Sequence, residues 1–255
     1  MWEDPPTSMK GTFFYAFANF QLNRTGLRFN FNDECFISGV MFAPRSFSED
    51  GIETHWAVNH LGHYLLTRLL SNNLAGGRVL YMVNLDYRFA KEGINFKDIN
   101  MKESYNRKYA FYQSQLANVL MIQSLAKELN KDFITVNGVY PGVCKDTNIK
   151  RHMGVDKSKI LSLFSRPFLY MLEKNPSEGA ATPLFMLLDN TVGEITGKIF
   201  TNMAEMAITD IADDQDSAQK LLDIDDYWTG LKTKEELIKI HAEKKVHINK
   251  NDPPA

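Results

Sequence analysis

The chain has 255 residues, 44% hydrophobic and 24% charged, with 29 basic against 31 acidic side chains and a formal net charge of −2. This composition excludes intrinsic disorder, which needs fewer apolar residues and more net charge. It leaves no basic excess to seek phosphate backbones, so no nucleic-acid partner is expected. The length suits one large α/β domain or two small ones. Two cysteines, Cys35 and Cys144, make no disulfide framework and lack metal-ligand spacing, so a reducing, cytoplasmic setting without a metal is expected. No run approaches about 18 apolar residues, and no transmembrane segment is expected. The opening Met1-Trp-Glu-Asp-Pro-Pro6 has neither region of a signal peptide, so the sequon Asn23-Arg24-Thr25 reads as chance.

In chain order, Thr12-Phe-Phe-Tyr-Ala-Phe17 is rich in strand formers, and Leu27-Arg-Phe-Asn-Phe-Asn32 alternates with period two. Asn23 to Gly26 between them has the composition of a hairpin loop. A helix over 12–22 is the rival, since phenylalanines at 13, 14, 17 and 20 also fit helical spacing. Residues 50–73 place Ile52, Trp56, Leu61, Leu65, Leu66 and Leu69 on a helical stripe, broken by Gly76-Gly77. Arg78 to Val83 is a nearly continuous apolar strand, as parallel strands buried on both faces are. Residues 85–105 read as a long polar loop at that strand's C-terminal end, where open α/β sheets build their sites. A helix follows over 107–130, with Phe111, Leu116, Leu120, Met121 and Leu125 on its apolar side. Phe133 to Val139 is the next strand, closed by Pro141-Gly142. After an apolar stretch from Ile160 to Leu172, Pro176-Ser177-Glu178 starts another helix with Ser177 as its N-cap. Ile195 to Phe200 is a last strand. The seven aspartates within 210–226 read as a solvated face, as does the lysine-rich tail beyond 232. Trp56 and Trp228 are read as packing residues.

Five stretches between residues 39 and 230 resemble the short-chain dehydrogenase/reductase family, in its retinol dehydrogenase and WW-domain-containing oxidoreductase branch. They are Gly39-Val-Met-Phe-Ala-Pro44 with Glu49-Asp-Gly-Ile-Glu53, Val58-Asn-His-Leu-Gly-His63, Ser114-Gln-Leu-Ala-Asn118, Tyr140-Pro-Gly-Val143 and Glu178-Gly-Ala-Ala181. The resemblance implies a Rossmann-type doubly wound parallel sheet. It divides the chain into an atypical segment over 1–38, a dehydrogenase-like α/β domain over 39–230 and a charged tail over 231–255. Family members carry a glycine-rich turn that lets the backbone approach a dinucleotide pyrophosphate. Residues 1–38 hold only Gly11 and Gly26, without that spacing, so the sheet is expected to lack most of the N-terminal nucleotide-binding half.

The resemblance also assigns the catalytic corner. The family's tyrosine acid/base falls at Phe111, its lysine at Gln115 and its serine at Asn84; Asn59 is its helix-bending asparagine. Phenylalanine has no proton to give and glutamine is neutral. Two literal Tyr-x-x-x-Lys strings, Tyr87/Lys91 and Tyr170/Lys174, stand in the wrong places for the pair. Gly39, Pro141, Gly142 and Thr147 remain as vestiges of the cofactor site. The expectation is therefore a catalytically inactive or impaired member acting by binding a partner, with no cofactor. The alternative is an NAD(P)-dependent oxidoreductase, using NADP or NAD, of retinol-like or other apolar alcohols and carbonyls, with Tyr87 or Tyr112 recruited as the donor. A homodimer through the helices at 50–73 and 107–130 is expected from apolar residues such as Leu69 and Leu120. The hairpin at 12–32 is expected to dock on a strand at about 34–38.

Overall fold

Five strands line up in the order β1-β2-β3-β4-β5 in a computed structural model that describes residues 33–145, 147–152, 173–240 and 242. β1 (Glu34–Phe36), β2 (Arg78–Met82), β3 (Thr135–Val139) and β4 (Ile199–Thr201) run parallel, and β5 (Ala204–Met206) returns antiparallel to β4. The doubly wound parallel sheet expected from the sequence is present. Alternate side chains of β2 enter different cores: Val79 and Tyr81 face one, Leu80 the other. That is why the strand reads as a continuous apolar run.

Parallel strands require crossovers, and helices supply them. The first, α1, opens as a wide π-helical segment at Trp56–Leu61 and tightens into a regular helix over Gly62–Leu70. The helix expected over 50–73 thus starts later. Residues 48–52 form a turn, tied by Ser48 N to Ile52 O and closed by a bridge between Phe47 and Glu53. The second helix, α2, spans Arg107–Leu129, with the side chain of Asn106 accepting from the amides of Lys108 and Tyr109 at its start. It is buried around most of its circumference, so its sequence shows little amphipathic contrast. Helix α3 (Pro176–Leu188) covers the opposite sheet face through Met186, against Leu80, Val139 and Phe200. Its N-cap is Asn175, not Ser177: Pro176 occupies the first helical position, and Asn175 and Glu178 close a reciprocal capping box.

The largest correction is the aspartate-rich stretch. Residues Gln215–Trp228 form helix α4, capped by Asp214, and its Asp223, Asp225 and Asp226 are buried rather than solvated. The apolar residues Ala218, Leu221, Leu222, Ile224 and Trp228 carry the helix into the core shared with α1 and α2, and the aspartates travel with them. Trp56 is buried there too. The proposed dimer surface changes accordingly. Leu120 is 1% exposed within a single chain and has no apolar surface left to offer, whereas Leu69 is 61% exposed. Strand β5 was not legible; the link to it is a two-residue turn in which Asn202 and Met203 both have positive φ, without the usual glycine. The 85–105 loop is irregular as read but packed, with Tyr87, Ala90, Ile94, Ile99 and Met101 all buried.

The hairpin expected over 12–32, the sequon and the stretch from Ile160 to Leu172 lie outside the described residues. Cys35 and Cys144 are free thiols. Among the described residues no helix is long and apolar enough to cross a membrane, and no cluster of three or more His, Cys, Asp or Glu could hold a metal ion.

Candidate functional site

The C-terminal ends of the parallel strands, the π-helical segment of α1 and the first turns of α2 meet in one corner. Asn59 organises it. Its Oδ1 accepts from Val40 N at 2.8 Å, while its Nδ2 donates to Val40 O at 2.9 Å and to Ser114 Oγ at 3.0 Å. This fixes the strand-end loop beside Gly39 to both helices. A wide turn frees backbone groups from the regular ladder, and the Asn59 carbonyl is taken by Asn118 Nδ2 at 2.9 Å.

A second buried triad holds the same loop from the other side. His55 Nε2 accepts from Ala43 N at 3.0 Å, which places its proton on Nδ1, donated to Glu53 Oε1 at 2.7 Å. Tyr105 donates to the same oxygen at 3.1 Å. Burial alone would raise the Glu53 carboxyl, but His55 and the amide of Trp56 outweigh it and hold the group below its usual range. Between these anchors Phe42 adopts φ +52° and turns its ring edge-on to Phe111, 5.3 Å away.

The positions assigned to catalysis are brought together, but with other chemistry. Phe111 is 2% exposed and packed against Phe42. Gln115 is 6% exposed, and its Oε1 accepts from the backbone amide of Asn84 at 2.8 Å. The Asn84 side chain caps the turn Leu85–Phe89 by accepting from Asp86 N at 3.0 Å. All three residues thus serve packing or backbone pairing. Pro141 and Gly142 are half-buried at the end of β3, and the aliphatic stem of Lys174 lies where a side chain on Gly142 would go. Thr147 is exposed, its hydroxyl donating to Cys144 O at 3.4 Å.

The literal Tyr-x-x-x-Lys strings stay apart from this corner's chemistry. Tyr87 is fully buried with no hydrogen-bond partner for its hydroxyl, and Lys91 is exposed. Tyr170 lies outside the described residues, and Lys174 donates to Asn202 Oδ1 at 2.6 Å. Tyr112 is half-buried between Phe42 and Phe89, its phenol held above the usual range by burial and then by Asp86.

The residues at the family's acid/base positions carry different chemistry from that of a hydride-transfer site. No phenol stands at 111 and no ammonium at 115, and the space beside Gly39 is shared by the side chain of Ile149, whose Cδ1 would lie 3.6 Å from an added β-carbon.

The chain of buried contacts leading away from the corner has no motif to announce it. Asn118, with Nδ2 committed to the Asn59 carbonyl, presents Oδ1 to His60 Nδ1 at 3.0 Å, so that nitrogen carries a proton. His60 Nε2 then meets Asp225 Oδ2 at 2.9 Å, with both side chains wholly buried. That contact needs a further proton, on the imidazole or on the carboxyl. Burial pushes the Asp225 carboxyl up, and His60 opposes it. Beside it Asp226 accepts from Tyr64 at 2.5 Å and pairs with Lys232 at 2.5 Å. The available signal was the apolar spacing Leu221, Leu222, Ile224, Trp228, which the density of aspartates masked.

No family model matches the chain. Individual relatives do. It is 34% identical to retinol dehydrogenase 14 of Mus musculus over 201 residues, 76% of this chain and 58% of that protein. It is 36% identical to the short-chain dehydrogenase TIC 32 B, chloroplastic, of Brassica napus over 197 residues, 73% of this chain and 60% of that protein. Among solved structures, an uncharacterized protein from Mycobacterium paratuberculosis shares the fold at a TM-score of 0.54 and 22% identity, over 78% of this chain and 67% of that one. The chain thus belongs with the short-chain dehydrogenase/reductases, and its relatives include retinol dehydrogenases. It spans just under three fifths of the length of the mouse relative.

Proposed function

We propose that this chain is a non-catalytic or strongly impaired short-chain dehydrogenase-like protein that acts by binding. One observation carries the reading: the acid/base position is Phe111, sealed at 2% exposure beneath Phe42, with Gln115 engaged by the Asn84 amide. Loss of a general acid/base alone forfeits about 10²–10⁴ in rate. The neutral amide at 115 also has no charge with which to lower a neighbour's pKa. Fluorescence titration with NADPH and NADH is the test. No binding is expected at micromolar cofactor, and a micromolar Kd overturns the proposal. The double variant Phe111→Tyr with Gln115→Lys is expected to show no NADPH-dependent reduction of retinal, and measurable turnover there would count equally against it.

The identity to retinol dehydrogenases favours a second reading, an NAD(P)-dependent oxidoreductase of apolar alcohols or carbonyls. Its donor would be Tyr112, because Tyr87 is sealed in the core. A Tyr112→Phe variant separates the readings if wild-type turnover is found, since only under this second reading does the substitution abolish it.

A further inference from the structure

Four buried groups run from α4 to the corner in one line of hydrogen bonds: Asp225, His60, Asn118 and the Asn59 carbonyl. The direction of each bond follows from the last. The Asn59 carbonyl can only accept, so Asn118 donates Nδ2 to it at 2.9 Å and turns Oδ1 towards His60. That oxygen also only accepts, so His60 carries a proton on Nδ1, 3.0 Å away. His60 Nε2 then faces Asp225 Oδ2 at 2.9 Å with one further proton between them. The other carboxyl oxygen places it. Asp225 Oδ1 is buried with no hydrogen-bond partner among the described residues. An ionised carboxylate would leave that oxygen charged and unpaired, whereas in the acid form it is a neutral carbonyl, far cheaper to bury.

The groups around the pair agree with the acid form. Asp226, next on α4, accepts from Tyr64 and pairs with Lys232, with Arg68 at 3.9 Å. Its charge opposes a second one at 225. From α1, His63 lies near His60 and against the Asn59 carbonyl, and burial keeps its ring neutral. The buried phenol of Tyr81 on β2 is neutral too, and Trp56 packs its ring 4.9 Å from that of His60. We propose that Asp225 holds the shared proton and that losing it reverses the line of hydrogen bonds, loosening the corner at Asn59. The proton leaves Asp225 for solvent. His60 must then offer Nε2–H to the carboxylate, its ring proton exchanging from Nδ1 through water, so Nδ1 becomes an acceptor. Asn118 meets an acceptor only by turning its amide over, which sets Oδ1 against the Asn59 carbonyl. Two acceptors repel there. Asn59 is the residue whose side chain clamps Val40 N and O, so the strand-end loop loosens with it.

Nitrogen-15 NMR of the histidine rings in the full chain reads the tautomer from about pH 6 to about pH 10. His60 is expected as the neutral Nδ1–H form at the lower end and as the Nε2–H form at the upper end. Over the same step the protection of the Val40 amide against hydrogen exchange should fall at least about tenfold. Asp225→Asn sets an amide donor opposite Nε2 that has no proton to lose, so His60 should stay Nδ1–H throughout with Val40 protection constant. If that variant does not fold, the titration of the unaltered chain decides alone. An imidazolium or an Nε2–H ring at about pH 6 overturns the proposal. So does an Nδ1–H ring unchanged to the upper end, a tautomer change that leaves Val40 protected, or a folded Asp225→Asn variant that still switches.

Discussion

Gln115 shows how one atom type decides what a buried position does. Its amide oxygen accepts from Asn84 N at 2.8 Å in a place only 6% exposed. A lysine there would leave that amide unpaired and bury a charge. Gln115→Lys is expected to cost about 2–4 kcal/mol, measured by urea unfolding. His63 provides a pH dependence. It is 7% exposed against Phe36, and burial, then the nearby His60, lower its pKa from 6.5 to about 4. As pH falls the unfolded chain takes up the proton first. The contribution is intact above about pH 6.5 and is lost as pH falls towards 4, amounting to at most about 3 kcal/mol. His63→Phe should flatten that part of the stability curve. Glu53, also held below its usual value, acts only at lower pH, where an unfolded carboxylate protonates.

At the scale of elements, two helix ends give tests of opposite sign. Asn175 caps α3 in a reciprocal box, so Asn175→Ala should destabilise by about 1 kcal/mol, with faster exchange of the first turn. After α2, Phe133 stands in the left-handed region at φ +57° and is 81% exposed, so it carries backbone strain without compensating burial. Phe133→Gly should stabilise by about 1 kcal/mol, read as a rise in Tm.

The same scale shows what was legible. β2 and α2 were readable to within a residue because apolar runs and long repeats dominate them. Strand β5 was not, because Asn202 and Met203 make a turn that usually advertises itself with glycine. Helix α4 was misread because aspartate density suggests solvent, although Leu221, Ile224 and Trp228 kept the helical period. In the site, the substitutions at 84, 111 and 115 were visible in the motifs. Their new partners were not, since Gln115 to Asn84 and His60 to Asp225 are contacts that only the tertiary fold brings together.

For the whole molecule, α4 changes what α1 and α2 can offer. It packs on both; Asp226 accepts a hydrogen bond from Tyr64 of α1, and Asp225 shares one with His60. With Leu120 enclosed, Leu69 is the test of the remaining surface. Leu69→Glu is expected to leave the sedimentation coefficient unchanged at tens of micromolar. A shift would show that this face joins copies of the chain.

The His60–Asp225 contact joins residues 165 positions apart. A ribosome adding about 5–20 residues per second needs roughly 10–30 s between making one and making the other. Throughout that interval α1 has its imidazole, the Tyr64 hydroxyl and one apolar flank without their eventual cover. The nascent chain therefore presents a surface that a chaperone can bind until α4 leaves the exit tunnel. Stalling synthesis between residues 130 and 214 should prolong that exposure, and crosslinking to ribosome-associated chaperones should rise there and fall once α4 has emerged.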